Sequence, residues 1–156
     1  MSEPLTTKEL WNRAIGLLAR REYSAKELAD KLAASAEPEQ VEEVLQQLID
    51  QGYQSDQRFT DSFIRMRIGQ GHGENRIRFD LQRKGIPAEL IAQCLEEQEA
   101  DWFELALEQY RRKYRGTTAG GDYKERAKRM RFMSQRGFSM DQISYAETAV
   151  AEEIED

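Results

Sequence analysis

Leu48-Ile49-Asp50-Gln51-Gly52-Tyr53, Leu81-Gln82-Arg83-Lys84-Gly85-Ile86 and Met133-Ser134-Gln135-Arg136-Gly137-Phe138 are three versions of one phrase. In each, an apolar residue stands four positions before a glycine and another follows it directly. A helix starter comes next: Ser55, Pro87 or Ser139. This is how a helix is closed. The residue past the last turn needs a positive φ, which glycine adopts without steric cost, and the apolar residue after it folds back on the helix. A second echo aligns Tyr23-Ser24, Leu28 and Leu32 with His72-Gly73, Ile77 and Leu81, each pair 49 residues apart. Self-similarity at this period predicts a helical repeat, in which units too small to bury their own faces share cores with their neighbours.

Working outward, the remaining punctuation predicts nine helical segments and no strand. Val41, Val44, Leu45, Leu48 and Ile49 form one apolar stripe at helical spacing, as do Leu90, Ile91, Cys94 and Leu95. Thr6 with Glu9, Ser24 with Glu27, and Ser139 with Gln142 have the spacing of reciprocal N-terminal caps. Pro38 and Pro87 suit first helical positions, where a missing amide costs nothing. Gly69-Gln70-Gly71-His72-Gly73 is a break between two basic helices, and Gly116-Thr117-Thr118-Ala119-Gly120-Gly121 is a polar loop. The fold class is therefore all-α.

The charge of this 156-residue chain is unevenly spread. The net value is −6, yet residues 58–85 carry seven Lys/Arg against three Asp/Glu, and residues 111–136 carry ten against two. The intervening stretches are acidic. A partner senses charge within a Debye length of about 8–10 Å, so the two basic segments act locally whatever the total. No apolar run is long enough for a membrane span, and the first residues lack a signal-peptide pattern. The single cysteine, Cys94, cannot form an internal disulfide, which fits a reducing cytoplasm.

Reactive chemistry is thin. There is one histidine, His72, so no His-based metal cluster or Cys-His-His site can be assembled. His72 reads as a polar loop residue between glycines, and Cys94 as a small core residue on an apolar stripe. No phosphate-binding loop with Lys-Ser/Thr is present, and no strand precedes the alternating glycines. The expectation is a binding protein with no catalytic residue, no metal and no cofactor. A small enzyme built on paired carboxylates is the weakest alternative.

The candidate binding residues are the two basic sets. Arg65, Arg67, Arg76, Arg78, Arg83 and Lys84 flank the first glycine-rich break. Arg111, Arg112, Lys113, Arg115, Lys124, Arg126, Lys128, Arg129, Arg131 and Arg136 flank the second loop. The planar arginine fork suits phosphate and carboxylate alike, so the sets fit nucleic acid or an acidic protein face. A competing reading is internal: the acidic stretches 86–110 and 137–156 pair with the basic ones. Tyr110, Tyr114, Tyr123, Phe132 and Phe138 are interleaved with the second set and are expected to be core rather than base-stacking platforms.

The chain resembles the RecX family, bacterial regulators of the RecA recombinase. Gly52-Tyr53-Gln54-Ser55-Asp56-Gln57-Arg58-Phe59, the run from Gly71-His72-Gly73 through Lys84-Gly85-Ile86, and Arg131-Phe132-Met133-Ser134-Gln135-Arg136-Gly137-Phe138-Ser139 carry the likeness. Leu17-Leu18-Ala19-Arg20-Arg21-Glu22-Tyr23-Ser24 adds to it. The resemblance implies three tandem three-helix repeats, at 1–54, 55–98 and 99–156, in an elongated, curved array. It also implies a monomer that binds the RecA–single-stranded-DNA filament and inhibits its extension and its recombinase and co-protease activity. A stand-alone nucleic-acid-binding helical protein is the alternative. Two departures from the family pattern stand out: Gln54-Ser55 replaces a more usual Leu/Ile-Asp/Asn pair, and Arg129 stands where the second repeat has apolar Ile77.

Overall fold

The computed structural model describes residues 3–115 and 122–155, and among these the chain forms nine α-helices and no strand. They are α1 (Thr7–Leu18), α2 (Ala25–Ala33), α3 (Pro38–Asp50), α4 (Asp56–Gly69), α5 (Glu74–Arg83), α6 (Ala88–Glu97), α7 (Trp102–Tyr114), α8 (Tyr123–Gln135) and α9 (Met140–Glu155). The three expected caps start α1, α2 and α9. At each, the hydroxyl accepts the amide three residues on, and the Glu or Gln side chain accepts the amide of the cap. Pro38 opens α3 as expected. Pro87 instead precedes α6, its carbonyl accepting from the Ile91 amide. The loop expected at 116–121 lies outside the described residues.

The glycine stops are real, and one of them is not a repeat equivalent. Tyr53 N–H bonds to Leu48 C=O, Ile86 N–H to Leu81 C=O and Phe138 N–H to Met133 C=O, the six-to-one bond of a left-handed helix end. The glycines have φ of +80°, +83° and +106° at Gly52, Gly85 and Gly137. Gly85 and Gly137, however, close α5 and α8, the second helices of their three-helix sets, whereas Gly52 closes α3, a third helix. Any helix end can use this closure, so it recurs out of repeat register. Gly71, after α4, makes the same closure. The 49-residue echo is the true repeat: it superimposes α2 on α5, with Leu28 and Ile77 fully buried at matching positions.

The chain divides into two compact units, residues 1–63 with 81–94, and residues 64–80 with 95–156. The dividing lines fall inside α4, α5 and α6. In the first unit, α1, α2 and α3 pack around Leu10, Ala14, Leu28, Leu32, Val44 and Leu48. In the second, α7 lies along α9, with α8 against α9, around Ala106, Leu107, Met133, Phe138, Ile143 and Ala146. Each fully buried leucine contributes roughly 1.5–3 kcal/mol. Cys94 is buried, as its apolar stripe predicts. Among the described residues, no helix is long and apolar enough to cross a membrane.

Candidate nucleic-acid interface

One structural device appears once in each unit: the end of one second helix docks on the beginning of another. In the first unit the end of α5 meets the start of α2. Ser24 Oγ donates to the Lys84 carbonyl (2.9 Å), and Lys84 Nζ pairs with Glu27 (2.9 Å). The Ala25 amide donates to Asp56 (2.8 Å). Buried Gln54 donates to the Tyr23 carbonyl (3.1 Å) and to Asp56 (3.0 Å), which gives this departure from the family pattern a structural role. Glu27 sits below the ordinary carboxylate range. Burial pushes it up, and hydrogen bonds from Lys84, the Ser24 amide and Arg21 outweigh that.

In the second unit the end of α8 meets the start of α5, and main chain replaces side chain. The Gly73 amide donates to the Arg136 carbonyl (2.7 Å) and the Asn75 amide to the Gly137 carbonyl (3.0 Å). Unpaired amides of one helix thus satisfy unpaired carbonyls of another. The approach leaves no room for side chains. A Cβ on Gly73 would lie 2.5 Å from the Gly137 carbonyl carbon, and one on Gly137 would lie 2.5 Å from the Arg76 nitrogen.

This tight contact gathers cations from several helices. Arg76 Nη1 donates to the Gln135 carbonyl (3.2 Å), Arg136 Nη1 to the Gln70 carbonyl (3.3 Å), and Arg67 Nη1 to Gln70 Oε1 (3.3 Å). Asp80 pairs with two of them, 3.3 Å from Arg76 and 4.0 Å from Arg67. Lys113 from α7 lies 4.0 Å over the Phe132 ring, and Arg136 lies 5.3 Å from the same ring. Lys113, Arg136, Arg76 and Arg67 are therefore joined through a continuous set of contacts. His72 lies within their field and titrates below the ordinary histidine range. Burial is the largest cause, followed by the charges of Arg67, Arg76 and Arg136, which Asp80 only partly offsets.

The other basic residues divide into two groups. Arg111 pairs with Glu153, Arg112 with Glu108 and Arg126 with Glu147, so the expected pairing with the acidic stretches 86–110 and 137–156 holds for these three, while Arg78 pairs with Glu74 and Lys84 with Glu27, outside those stretches. Arg65, Arg83, Arg115, Lys124, Lys128 and Arg131 are exposed. Arg129 stands apart. Only 5% exposed, it fills the core position that Leu28 and Ile77 occupy in the other sets. It donates to Tyr110 Oη (3.2 Å) and Glu125 (3.1 Å), and its guanidinium lies 4.4 Å from the centre of the Tyr114 ring. It is a structural residue in this conformation and presents no charge to a partner. Tyr110 and Phe138 are core, as expected, whereas Tyr123 is exposed.

Sequence reasoning passed over one member of this site: His72 reads as an ordinary loop residue. The signal for it was its place between two glycines with arginines five residues before and four after. Phe132 packs partly buried against the core, as expected, with Lys113 and Arg136 beside its ring.

Family models of the first, second and third three-helix domains of RecX match residues 11–48, 55–95 and 99–146. Among curated proteins, the regulatory protein RecX of Chromohalobacter salexigens is 40% identical over 145 residues, spanning 91% of this chain and 94% of that one. The RecX of Vibrio campbellii is 41% identical over 143 residues, spanning 91% and 90%. Among solved structures, a regulatory protein RecX superimposes with a TM-score of 0.77 over 91% of this chain and 73% of its own, at 23% identity. RecX from Lactobacillus salivarius gives 0.74 over 93% and 96%, at 22% identity. The two structures support the fold alone.

Proposed function

The chain belongs to the RecX family of regulatory proteins, and from that premise we propose that it binds the RecA–single-stranded-DNA filament and inhibits its extension, lowering recombinase and co-protease activity. The observation that supports this most is the chain of contacts that joins Lys113 and Arg136, through Phe132 and Gln70, to Arg67 and Arg76, which pair with Asp80. Arg136, held by the Gln70 carbonyl and lying beside the Phe132 ring, keeps its charge for a partner. Cations paired to carboxylates present a dipole instead.

The mechanism is occupation, with no bond made or broken. Repeats at 55–98 and 99–156 carry the contact, and the repeat at 1–54, which is acidic, serves as cap or additional contact. The exposed set Arg65, Arg83, Arg115, Lys124, Lys128 and Arg131 extends the basic surface toward protein and DNA phosphates. The acidic stretches restrain binding to random DNA by like-charge repulsion. The protein acts as a monomer in the cytoplasm, without cofactor or metal.

Purified protein added to a RecA strand-exchange reaction at sub-stoichiometric amounts is expected to slow it. An unchanged rate rejects the proposal. Salt-dependent binding to free single strands with no effect on RecA would favour the stand-alone nucleic-acid-binding alternative.

A further inference from the structure

We propose that the groove between the second half of α4 and α7 docks a short lysine- or arginine-bearing segment of a partner protein. The partner's identity as RecA rests on the filament reading, whereas the chemistry of the segment rests on the groove.

The lining is the first reason. The groove has a volume of about 560 Å³, in the range of sites that take a few side chains. Ile68, Ala100 and Leu105 form its apolar part. Asp101, Glu104 and Glu108 line it from one face of α7, in a row about 10 Å long. Carboxylates beside an apolar surface recognise a cation on an aliphatic stem. The stem's methylenes lie on Ile68 and Leu105 while its charge meets the carboxylates.

The second reason is which charges are already spent. Arg111 also lines the groove and is committed to Glu153, and Glu108 pairs with Arg112 (3.3 Å). Asp101 and Glu104 receive only neutral donors. Asp101 Oδ1 accepts the Glu104 amide (3.2 Å), and Glu104 accepts the Tyr145 hydroxyl. Neither is ion-paired among the described residues. Such bonds orient a carboxylate and leave its charge in place. Tyr145 senses that charge: its phenol titrates above the ordinary range. The hydrogen bond to Glu104 is the largest cause, followed by desolvation and the charges of Glu104 and Asp101, with Arg111 opposing.

The rim is the third. Phe103 and Tyr145 stand edge to face, ring centres 5.6 Å apart, and are 43% and 39% exposed. The Tyr145 bond to Glu104 holds this pair beside the carboxylates. Exposed ring faces next to carboxylates attract a cation on both counts. Arg65 completes the lining, exposed and with no carboxylate partner among the described residues. With Gln98 it offers donors to main-chain carbonyls, which a polypeptide brings and a polyamine lacks. A phosphate backbone would meet three carboxylates here and be repelled.

The test uses a synthetic hexapeptide of four lysines and two leucines, added at low salt to the full chain without RecA. Binding is followed by NMR at the Phe103 and Tyr145 rings. Asp101→Asn/Glu104→Gln removes both charges and keeps the helix cap and the acceptor for Tyr145. Equally folded by circular dichroism, it should bind the peptide about fivefold more weakly, the loss of two exposed ion pairs. Glu42→Gln/Glu43→Gln removes the same charge from exposed positions on α3 and should bind as wild type does. Wild-type affinity in the groove variant overturns the proposal. So does an equal loss in both variants, which would make net charge the attraction. Oligothymidylate moving the same ring signals would assign the groove to nucleic acid and also overturn it. In RecA strand exchange, the groove variant should need about fivefold more protein for the same slowing. Full potency of that variant, with slowing by wild type, removes RecA from the groove and leaves the filament reading intact. No slowing by wild type rejects the filament reading, and peptide binding then decides the groove alone.

Discussion

The two helix-end junctions do the same structural job with different chemistry. At the start of α2, a serine hydroxyl, a glutamine amide and a Lys84–Glu27 pair bridge the gap, so the junction is made of side chains that can adjust. At the start of α5, amides of one chain segment meet carbonyls of another, and neither Gly73 nor Gly137 has space for a Cβ. The consequence is electrostatic as much as steric. The first junction neutralises its lysine. The second ties Arg76 and Arg136 to main-chain carbonyls across the junction, with Asp80 paired to Arg76 and Arg67, and so keeps several cations in the field of His72. A helix end closed by main chain is thus also a way to hold cations together without cancelling them.

The comparison breaks most visibly at Gly137. Gly137→Ala should cost about 3–4 kcal/mol in denaturant unfolding, because the new Cβ meets Arg76 main chain at a backbone φ of +106°. A cost below about 1 kcal/mol would mean that the second junction is no more rigid than the first. Next in size is the buried arginine that the second unit keeps where the first has Leu28. Arg129→Ala should cost about 2–3 kcal/mol through lost packing on Tyr114 and an abandoned Glu125, whereas Arg129→Met should be close to neutral in the same assay.

Gly85→Ala is smaller, about 2 kcal/mol, since its Cβ would meet the Lys26 side chain at 2.8 Å instead of main chain. Gly52→Ala has open space and should cost only about 1 kcal/mol, the left-handed φ alone. An equal cost at 52, 85 and 137 would show that φ, and not the junction, governs all three.

The smallest effect is a separation of pH windows. His72 titrates below the ordinary histidine value of 6.5, so the unfolded chain takes up its proton first, and stability present above that value is lost as pH falls. Glu27 titrates below the ordinary carboxylate value of 4.5, so its contribution is intact above that value and is lost as pH falls further. Hydrogen-exchange protection should therefore weaken at the Gly73 and Asn75 amides at a higher pH than at the Ala25 amide, after correction for intrinsic rates. Coincident loss would contradict the assignment of His72 to the second junction.

Much of this was legible from local chemistry. The caps at Thr6, Ser24 and Ser139 and the glycine closures are short-range devices, and each was found where its residues stand. The 49-residue echo carried the repeat because Leu28 and Ile77 answer the same core demand. The equivalence of Gly52 with the other two stops did not hold, because a helix end says nothing about which helix it ends. The site was only half visible. Charge runs located Arg67, Arg76 and Arg136, and spacing shows the i,i+4 pair of Arg76 with Asp80, but nothing in it shows which guanidinium a main-chain carbonyl from another segment holds. That difference depends on which segments meet, as Arg129 shows by turning inward from a run of ten cations.

The most direct test of the central claim is the rate of RecA filament extension on single-stranded DNA, followed with wild-type protein and with Arg136→Gln. The account predicts that wild-type protein slows extension at sub-stoichiometric amounts and that the variant, equally folded by circular dichroism, needs roughly tenfold more for the same slowing. Equal potency of the two proteins, or no slowing by either, would contradict it.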